Sequence, residues 1–357
     1  MDFSHKMMFD NHVLLLTPGF PKDEDDFLCT PPVQDYLLKY KEVFPKTKFS
    51  VIAFQYPYEQ ANYTWNGVNV YSLGGNNSRV KKLSVWKEAI KRAKQIHKDF
   101  SVTSIHSLWF GECTLVGYYL SHKLKCNHIC TLMGQDVQSS NYYLKILDTE
   151  KIKIISLSQN QSDEFYKITK RNVDNEIFWG IQDQDYNINT ERNIDLLAVG
   201  SLIQLKNYSL LIKTVSEIVK EFPKLVCKLV GDGPDYLKFK TMALQYGVDN
   251  NIEFTGLLSR KEIFMLMKQS KIFVHPSKFE GSGFVFAEAL ANGMNIVSFN
   301  VGYAKQSEKW LIAKDDNEFI SHTKKLLSTK LSYEPLNIFP ISETVYKYHQ
   351  LYHSCPK

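Results

Sequence analysis

Pro276-Ser277-Lys278-Phe279-Glu280-Gly281-Ser282-Gly283-Phe284-Val285-Phe286-Ala287-Glu288-Ala289-Leu290 is the stretch on which the reading of this chain turns. It follows a short apolar run, residues 272–275, and passes through two glycines into a helical pattern. Gly281 and Gly283 permit a tight turn and let a ligand approach the backbone closely. The spacing predicts a helix from about Gly283, with Phe284, Ala287 and Ala291 facing inward. The first N–H groups of such a helix have no partner within it, and its dipole favours an anion there. The stretch therefore predicts a phosphate cradle made of backbone. Glu280 precedes it and Glu288 sits more than a turn inside, so two carboxylates flank a diphosphate site. Each can accept hydrogen bonds from sugar hydroxyls. The glycine turn alone reads more simply as a loop before a helix with two solvated glutamates; the whole string carries the site.

Outward from this stretch, short apolar runs alternate with amphipathic ones. Strands are expected at 13–17, 49–54, 68–73, 102–106, 128–132 and 152–157. A second series is expected at 195–199, 225–230, 252–254, 272–275 and 295–298. The clearest helix is 208–220, where Tyr208, Leu211, Ile212, Val215, Ile218 and Val219 recur at helical spacing. Alternating strands and helices imply α/β architecture with parallel sheets covered on both faces. Two doubly wound, Rossmann-like domains facing a central cleft are expected: residues 1–178, a linker at 179–192, and 193–335. A last helical pattern within 336–357 is left open to pack with either domain. In such sheets ligands bind at the carboxyl ends of the strands.

The 357 residues, 44% apolar and 23% charged, fit a two-domain globular protein that needs no disulfide or metal staples. The apolar run Val13–Leu16 is too short for a signal peptide core, and nothing later reaches the length of a membrane span. A cytoplasmic protein is expected. The net charge of +5 permits an acidic partner without demanding one, and no nucleic-acid recognition motif is present. No metal site is expected. Cys126, His128 and Cys130 lack a second ligand pair at zinc spacing. Asp183-Gln184-Asp185 has the spacing of a metal-binding D-x-D, but it lies in the linker and reads as a chance match.

Glu280 and Glu288, with seven residues between them and framed by Pro276-Ser277 and Ala289-Leu290-Ala291-Asn292-Gly293, resemble the E-x7-E motif of retaining glycosyltransferases. The stretch is most similar to glycosyltransferase family 4, of the GT-B fold. Val199-Gly200-Ser201-Leu202 followed by Lys206-Asn207 resembles that family's first loop with its phosphate-binding lysine. Val230-Gly231-Asp232-Gly233-Pro234 resembles its second glycine-rich loop, and Phe254-Thr255-Gly256 a segment near the base. The similarity covers about residues 196–302; the N-terminal half matches only loosely. The resemblance implies a donor such as a UDP- or GDP-sugar, with no cofactor and no metal. It implies that Glu288 holds the ribose hydroxyls and Glu280 those of the donor sugar. Lys206 and the amides of Gly283, Phe284 and Val285 would neutralise the leaving diphosphate. Retention at the anomeric carbon is the implied outcome, with a glycan or lipid-linked acceptor. The residue usage suggests an AT-rich bacterial gene, and with it cell-surface polysaccharide or glycolipid synthesis.

Departures from the family pattern matter. Ser201 stands where many relatives carry arginine; it donates one hydrogen bond and no charge, so Lys206 and the helix end suffice or Arg260 substitutes. In Thr131-Leu132-Met133-Gly134-Gln135-Asp136, Met133 replaces a histidine of the family's strand-end motif. Asp136 remains as an acceptor-side candidate. His106, at the end of the run 102–106, is the alternative active-site imidazole, although a lone strand-end histidine is more often structural. Gly19, in the first loop, would let donor phosphates approach, and a plain turn explains it nearly as well. In the pattern 83–100, Trp86, Ile90, Ala93 and Ile96 form an apolar stripe, with Lys87, Lys91, Lys94 and Lys98 on another face. That face suits anionic lipid at the inner surface of a membrane, and equally a solvated helix. Two further readings stay open: a non-catalytic partner of another transferase that binds nucleotide or glycan, and a sugar-nucleotide epimerase.

Overall fold

The computed structural model describes residues 11–182 and 191–354. The chain divides into two compact units. Residues up to Gly180 together with those from Ile341 form the first, and Ile181–Pro340 the second. Asp183-Gln184-Asp185 lies outside the described residues.

The first unit contains β1 (Asn11–Gly19), α1 (Pro31–Val43), β2 (Thr47–Tyr56), β3 (Gln60–Trp65), β4 (Val68–Leu73), α2 (Lys82–Phe100), β5 (Ser104–Leu108), α3 (Glu112–Leu124), β6 (Asn127–Thr131), α4 (Tyr143–Ile146), β7 (Lys153–Ser156), α5 (Gln159–Thr169) and β8 (Asn175–Glu176). Its sheet runs β3-β4-β2-β1-β5-β6-β7-β8. All pairs are parallel except β3 with β4. Val13, Leu14, Leu15 and Leu16 are at most 1% exposed, as a strand with helices on both faces requires. The strand β3 is absent from the sequence-derived series. It is an edge strand with four of its six residues exposed, so it lacks an apolar run. The signal that marks it is Asn66-Gly67, whose φ values of 44° and 74° are those of a tight hairpin turn.

On α2 the buried stripe is Val85, Ala89, Ala93 and Ile96, one residue out of phase with the expected stripe over its first half. Trp86 and Ile90 pack only at its margin. Lys87, Lys91, Lys94 and Lys98 are all exposed.

The second unit contains β9 (Ile194–Val199), α6 (Tyr208–Ile218), β10 (Cys227–Val230), α7 (Tyr236–Gln245), β11 (Ile252–Gly256), α8 (Arg260–Gln269), β12 (Ser270–His275), α9 (Phe284–Ala291), β13 (Asn295–Phe299), β14 (Trp310–Ala313) and α10 (Asp316–Leu327). Its parallel sheet runs β11-β10-β9-β12-β13-β14. The edge strand β14 is absent from the sequence-derived series. The core gathers Leu196, Leu211, Ile212, Val215, Leu229, Phe239, Ile272 and Val274 between sheet and helices.

The last helix, α11 (Ile341–Tyr352), belongs to the first unit. Its buried face, Ile341, Thr344, Val345, Tyr348 and Tyr352, carries hydroxyls that are bonded there. The Tyr352 hydroxyl meets that of Tyr36 at 2.8 Å, and Trp179 Nε1 donates to the Tyr348 hydroxyl at 3.1 Å. Thr344 Oγ1 donates to the Phe178 carbonyl at 2.8 Å. Aromatic side chains that bury area and also satisfy a polar tip hold this return segment in place.

Candidate functional site

The second sheet starts at its middle. From β9 the chain builds outward to β10 and β11, then restarts on the other side of β9 with β12. The loops after β9 and β12 therefore leave in opposite directions and open a crevice at the carboxyl ends, the usual ligand position in such sheets. Gly200 leaves β9 at φ 153° and Gly231 leaves β10 at φ 136°. A Cβ at Gly231 would run into the Gly200 carbonyl, so only glycine lets these two loops close on each other. Gly231 N donates to the Gly256 carbonyl at 2.9 Å, which brings the third predicted glycine alongside. Ser201 is exposed on the first of these loops.

Gly283 caps α9 in the left-handed region, φ 74° and ψ 48°, and as a glycine it offers the start of the helix no side-chain cap. The helix proper begins at Phe284, one residue later than expected; Ala287 and Ala291 face inward as expected, and only Phe284 does not. Phe286, fully buried, is the inward aromatic; Phe284 is only half-buried. Phe286 packs edge-on against His275 with ring centroids 4.9 Å apart. Phe284 and Val285 thus present their amides at the crevice with side chains partly in solvent.

Each glutamate of the pair holds a cation. Lys206 Nζ lies 2.5 Å from Glu280 Oε1, and His275 Nε2 lies 2.7 Å from the same oxygen. Burial pushes the Glu280 carboxyl up, but the His275 hydrogen bond and the Lys206 ammonium outweigh it and hold its pKa down to about 2. His275 is itself 1% exposed, and desolvation lowers its pKa more than Glu280 raises it. It is therefore neutral at pH 7 and donates from Nε2. Its Nδ1 has no hydrogen-bond partner among the described residues, as that tautomer allows.

On the other side, Arg260 reaches Glu288 Oε1 with Nε at 3.0 Å and Nη2 at 2.9 Å. A capping box between Ser259 and Glu262 starts α8 at Arg260, which fixes where the arginine stem leaves the helix. The guanidinium lies over the rings of Phe284, at 5.5 Å, and Phe264, at 5.2 Å. The crevice thus carries two ion pairs, one on each side of the amide end of α9. His275 was not among the residues singled out by sequence. Its only local sign is that it ends β12, one residue before the motif.

The candidates in the first unit behave differently. His106 is fully buried. Its Nδ1 meets the Tyr352 hydroxyl at 2.7 Å and its Nε2 meets Thr131 Oγ1 at 2.7 Å, so both ring nitrogens are spent. Desolvation lowers its pKa to about 3. The expected catalytic role of His106 is corrected: it is a core residue beneath α11. Asp136 accepts from the amides of Phe110 at 2.7 Å and Gly134 at 2.8 Å, and from that of Met133. Its carboxylate clamps the loops after β5 and β6 together, so it shapes those loops instead of presenting a free carboxylate. At Gly19 a Cβ would meet Cys29 and Tyr56 at 3.6 Å, an ordinary contact, so nothing at that position requires glycine. Among the described residues no cluster of three His, Cys, Asp or Glu side chains is placed to hold a metal ion, and no helix is long and apolar enough to cross a membrane.

Residues 181–325 match the family model described as glycosyl transferases group 1. An uncharacterized glycosyltransferase of Methanocaldococcus jannaschii is 31% identical over 230 residues, 60% of this chain and 60% of that one. The phosphatidylinositol N-acetylglucosaminyltransferase gpi3 subunit of Schizosaccharomyces pombe is 28% identical over 109 residues, 30% of this chain and 24% of its own. The matched regions therefore span less than two thirds of these relatives. The solved structure of Anabaena HepE in complex with UDP and glucose superposes with a TM-score of 0.73 at 16% identity, covering 96% of this chain and 99% of that one. Sucrose-phosphate synthase from Thermosynechococcus elongatus gives 0.72 at 14% identity, covering 96% and 98%. At such identities the likeness speaks for the fold, which is GT-B.

Proposed function

We propose that this chain, whose second unit is a glycosyl transferases group 1 domain, is a retaining, metal-independent glycosyltransferase. It would move a hexose-type sugar from a nucleotide-diphosphate sugar to a glycan or lipid-linked acceptor. The observation that carries the reading is the two ion pairs flanking the amide end of α9. A diphosphate seated on those amides competes for Lys206 and Arg260. As the cations turn to phosphate, Glu280 and Glu288 are released to accept hydrogen bonds from sugar and ribose hydroxyls. Arg260 then fills the place left uncharged by Ser201. When the bond from the anomeric carbon to phosphate oxygen breaks, charge grows on the leaving diphosphate where Lys206 and the amides already stand. The acceptor oxygen bonds to the same face of that carbon and passes its proton to the departing phosphate.

The similarly folded HepE, solved in complex with UDP and glucose, makes a UDP-sugar the first donor to try. The pathway would be cell-surface polysaccharide or glycolipid synthesis; an alpha-monoglucosyldiacylglycerol synthase of Streptococcus pneumoniae, 25% identical over 108 residues, supports the lipid acceptor. The test is a thermal-shift panel of UDP, GDP, ADP, dTDP and CMP with and without EDTA. One nucleotide is expected to stabilise the protein by about 2.7 kcal/mol at 100 times its Kd, insensitive to EDTA. Glu288→Ala should lose that shift. A parent protein that shifts with none of the five would sink the donor-site reading.

Work at the inner face of an anionic membrane belongs to the same proposal. Lys87, Lys91, Lys94 and Lys98 are exposed along α2, and Val80 and Leu83 at its start are 93% and 65% exposed. Anionic liposomes at low salt should therefore carry the protein into the pellet. Changing the four lysines to Gln should leave it in the supernatant; equal sedimentation of both proteins would dismiss the basic face.

A second reading, a non-catalytic partner, is favoured by one observation. Met133 replaces an imidazole and His106 is buried, so neither supplies an accessible one in the first unit. Nucleotide binding without transfer to any acceptor, plus co-purification with another transferase, would select it.

A further inference from the structure

We propose that the buried hydroxyl of Tyr208 is a ligand-binding group, kept for the diphosphate of the nucleotide sugar. The proposal rests on the donor-site reading above. Tyr208 opens α6, and its ring has no exposed surface. The ring packs edge-on against Phe239, with centroids 5.9 Å apart, as any core aromatic does. The hydroxyl is another matter. Among the described residues it has no hydrogen-bond partner. Buried tyrosine hydroxyls normally find one, and an unpaired one carries its full desolvation cost. Phenylalanine would fill the same space without that cost.

The position of the oxygen says what it faces. It stands 2.8 Å from the point where a Cβ on Gly200 would lie, and the stem of Lys206 passes 3.6 Å from the same point. Gly200 is where β9 turns into the crevice, so the hydroxyl sits under the phosphate loop beside the lysine that pairs with Glu280. Burial first, and the Glu280 charge second, keep this phenol protonated. It is therefore a donor with no acceptor among the described residues, beside the stem of Lys206, at the carboxyl end of a central strand. An anionic oxygen fits both groups. The exposed Ser201 gives this loop one neutral donor from above; Tyr208 gives a second from below.

The experiment compares the parent and Tyr208→Phe in calorimetric titrations with UDP, GDP, uridine, guanosine and inorganic pyrophosphate, alongside melting curves. Loss of a hydrogen bond to a charged oxygen should weaken the nucleoside diphosphate that binds, and pyrophosphate, by about tenfold or more. Nucleoside binding should not change, and the melting temperature of the variant should equal or exceed the parent's. Parent-like diphosphate affinity in Tyr208→Phe would overturn the proposal and leave the donor site standing. A lowered melting temperature would also overturn it, since the hydroxyl would then serve the fold. A parent that binds none of these, nor ADP, dTDP or CMP, would remove the donor site and this proposal together.

Discussion

Lys206→Met is expected to cut sugar transfer by about 10²–10³-fold, the range seen when one pre-placed electrostatic donor is removed. It is also expected to lower the melting temperature, and the two losses should separate in the double variant Lys206→Met/Glu280→Gln. The Glu280 side chain is only 14% exposed and shares one oxygen between Lys206 and His275. Without the ammonium, a mostly buried carboxylate keeps only a neutral imidazole as partner. Breaking a fully buried pair from one side costs about 3–5 kcal/mol. The side chains here are 14% and 19% exposed at the crevice, so roughly 1–3 kcal/mol is the scaled expectation. Glu280→Gln removes the orphaned charge and keeps a carbonyl oxygen for His275 Nε2–H. The double variant should therefore recover most of the melting temperature while transfer stays lost. Melting curves and initial rates on the four proteins of this cycle decide both points. Near-parental rates for Lys206→Met would take the lysine out of leaving-group stabilisation. A double variant as unstable as the single would mean that the stem of Lys206, and not its charge, supports the loop.

The parts of this site that sequence revealed are those that lie close together along the chain. Glu280, Gly283 and Glu288 sit in one strand–loop–helix segment, where glycine spacing and helix-end chemistry can be read directly. Gly231 and Gly256 followed because each ends a strand of the same sheet. Lys206 and Arg260 were both readable as cations for a diphosphate, but their pairing with Glu280 and Glu288 was not, because it is set by sheet order. Arg260 reaches Glu288 from α8, and Tyr208 reaches Gly200 from below, through contacts that no local period announces. His106 was misplaced for a related reason. The end of an inner strand can be active site or core, and the choice fell to α11, which returns from the far end of the chain to cover it. The fold was legible wherever strands are apolar on both faces. It was lost at β3, where the residues are mostly solvent-facing and a two-residue turn was the better guide.

Acidification from pH 6.5 toward 4.5 is expected to destabilise the first unit steeply, well before carboxylates titrate. His12, His106 and His128 are at most 5% exposed there. Burial lowers their pKa values to about 4, 3 and 3 from the usual 6.5. The sign follows from proton counting. Below pH 6.5 the unfolded chain protonates these imidazoles and the folded chain does not, so unfolding takes up protons and stability falls as pH falls. Each group contributes up to about 1.4 kcal/mol per pH unit in that window, roughly 4 for the three together. Asp136 pulls the other way, since burial raises its pKa, but it is one group against three. In the second unit His275 has the same sign as the three. The stability that Glu280 contributes is present above its usual 4.5 and lost only as pH falls toward about 2. Four of the five tryptophans, Trp65, Trp86, Trp109 and Trp179, lie in the first unit, and Trp310 alone lies in the second. Denaturant unfolding of Trp310→Phe, followed by tryptophan fluorescence between pH 7 and 4.5, therefore reports the first unit by itself. His106→Asn in that background should make the pH dependence shallower by about one proton. A stability that stays flat from pH 6.5 to 4.5 would mean that these imidazoles carry protons within the fold. The buried network around His106 would then have to open, and that histidine would return as a candidate for the reaction.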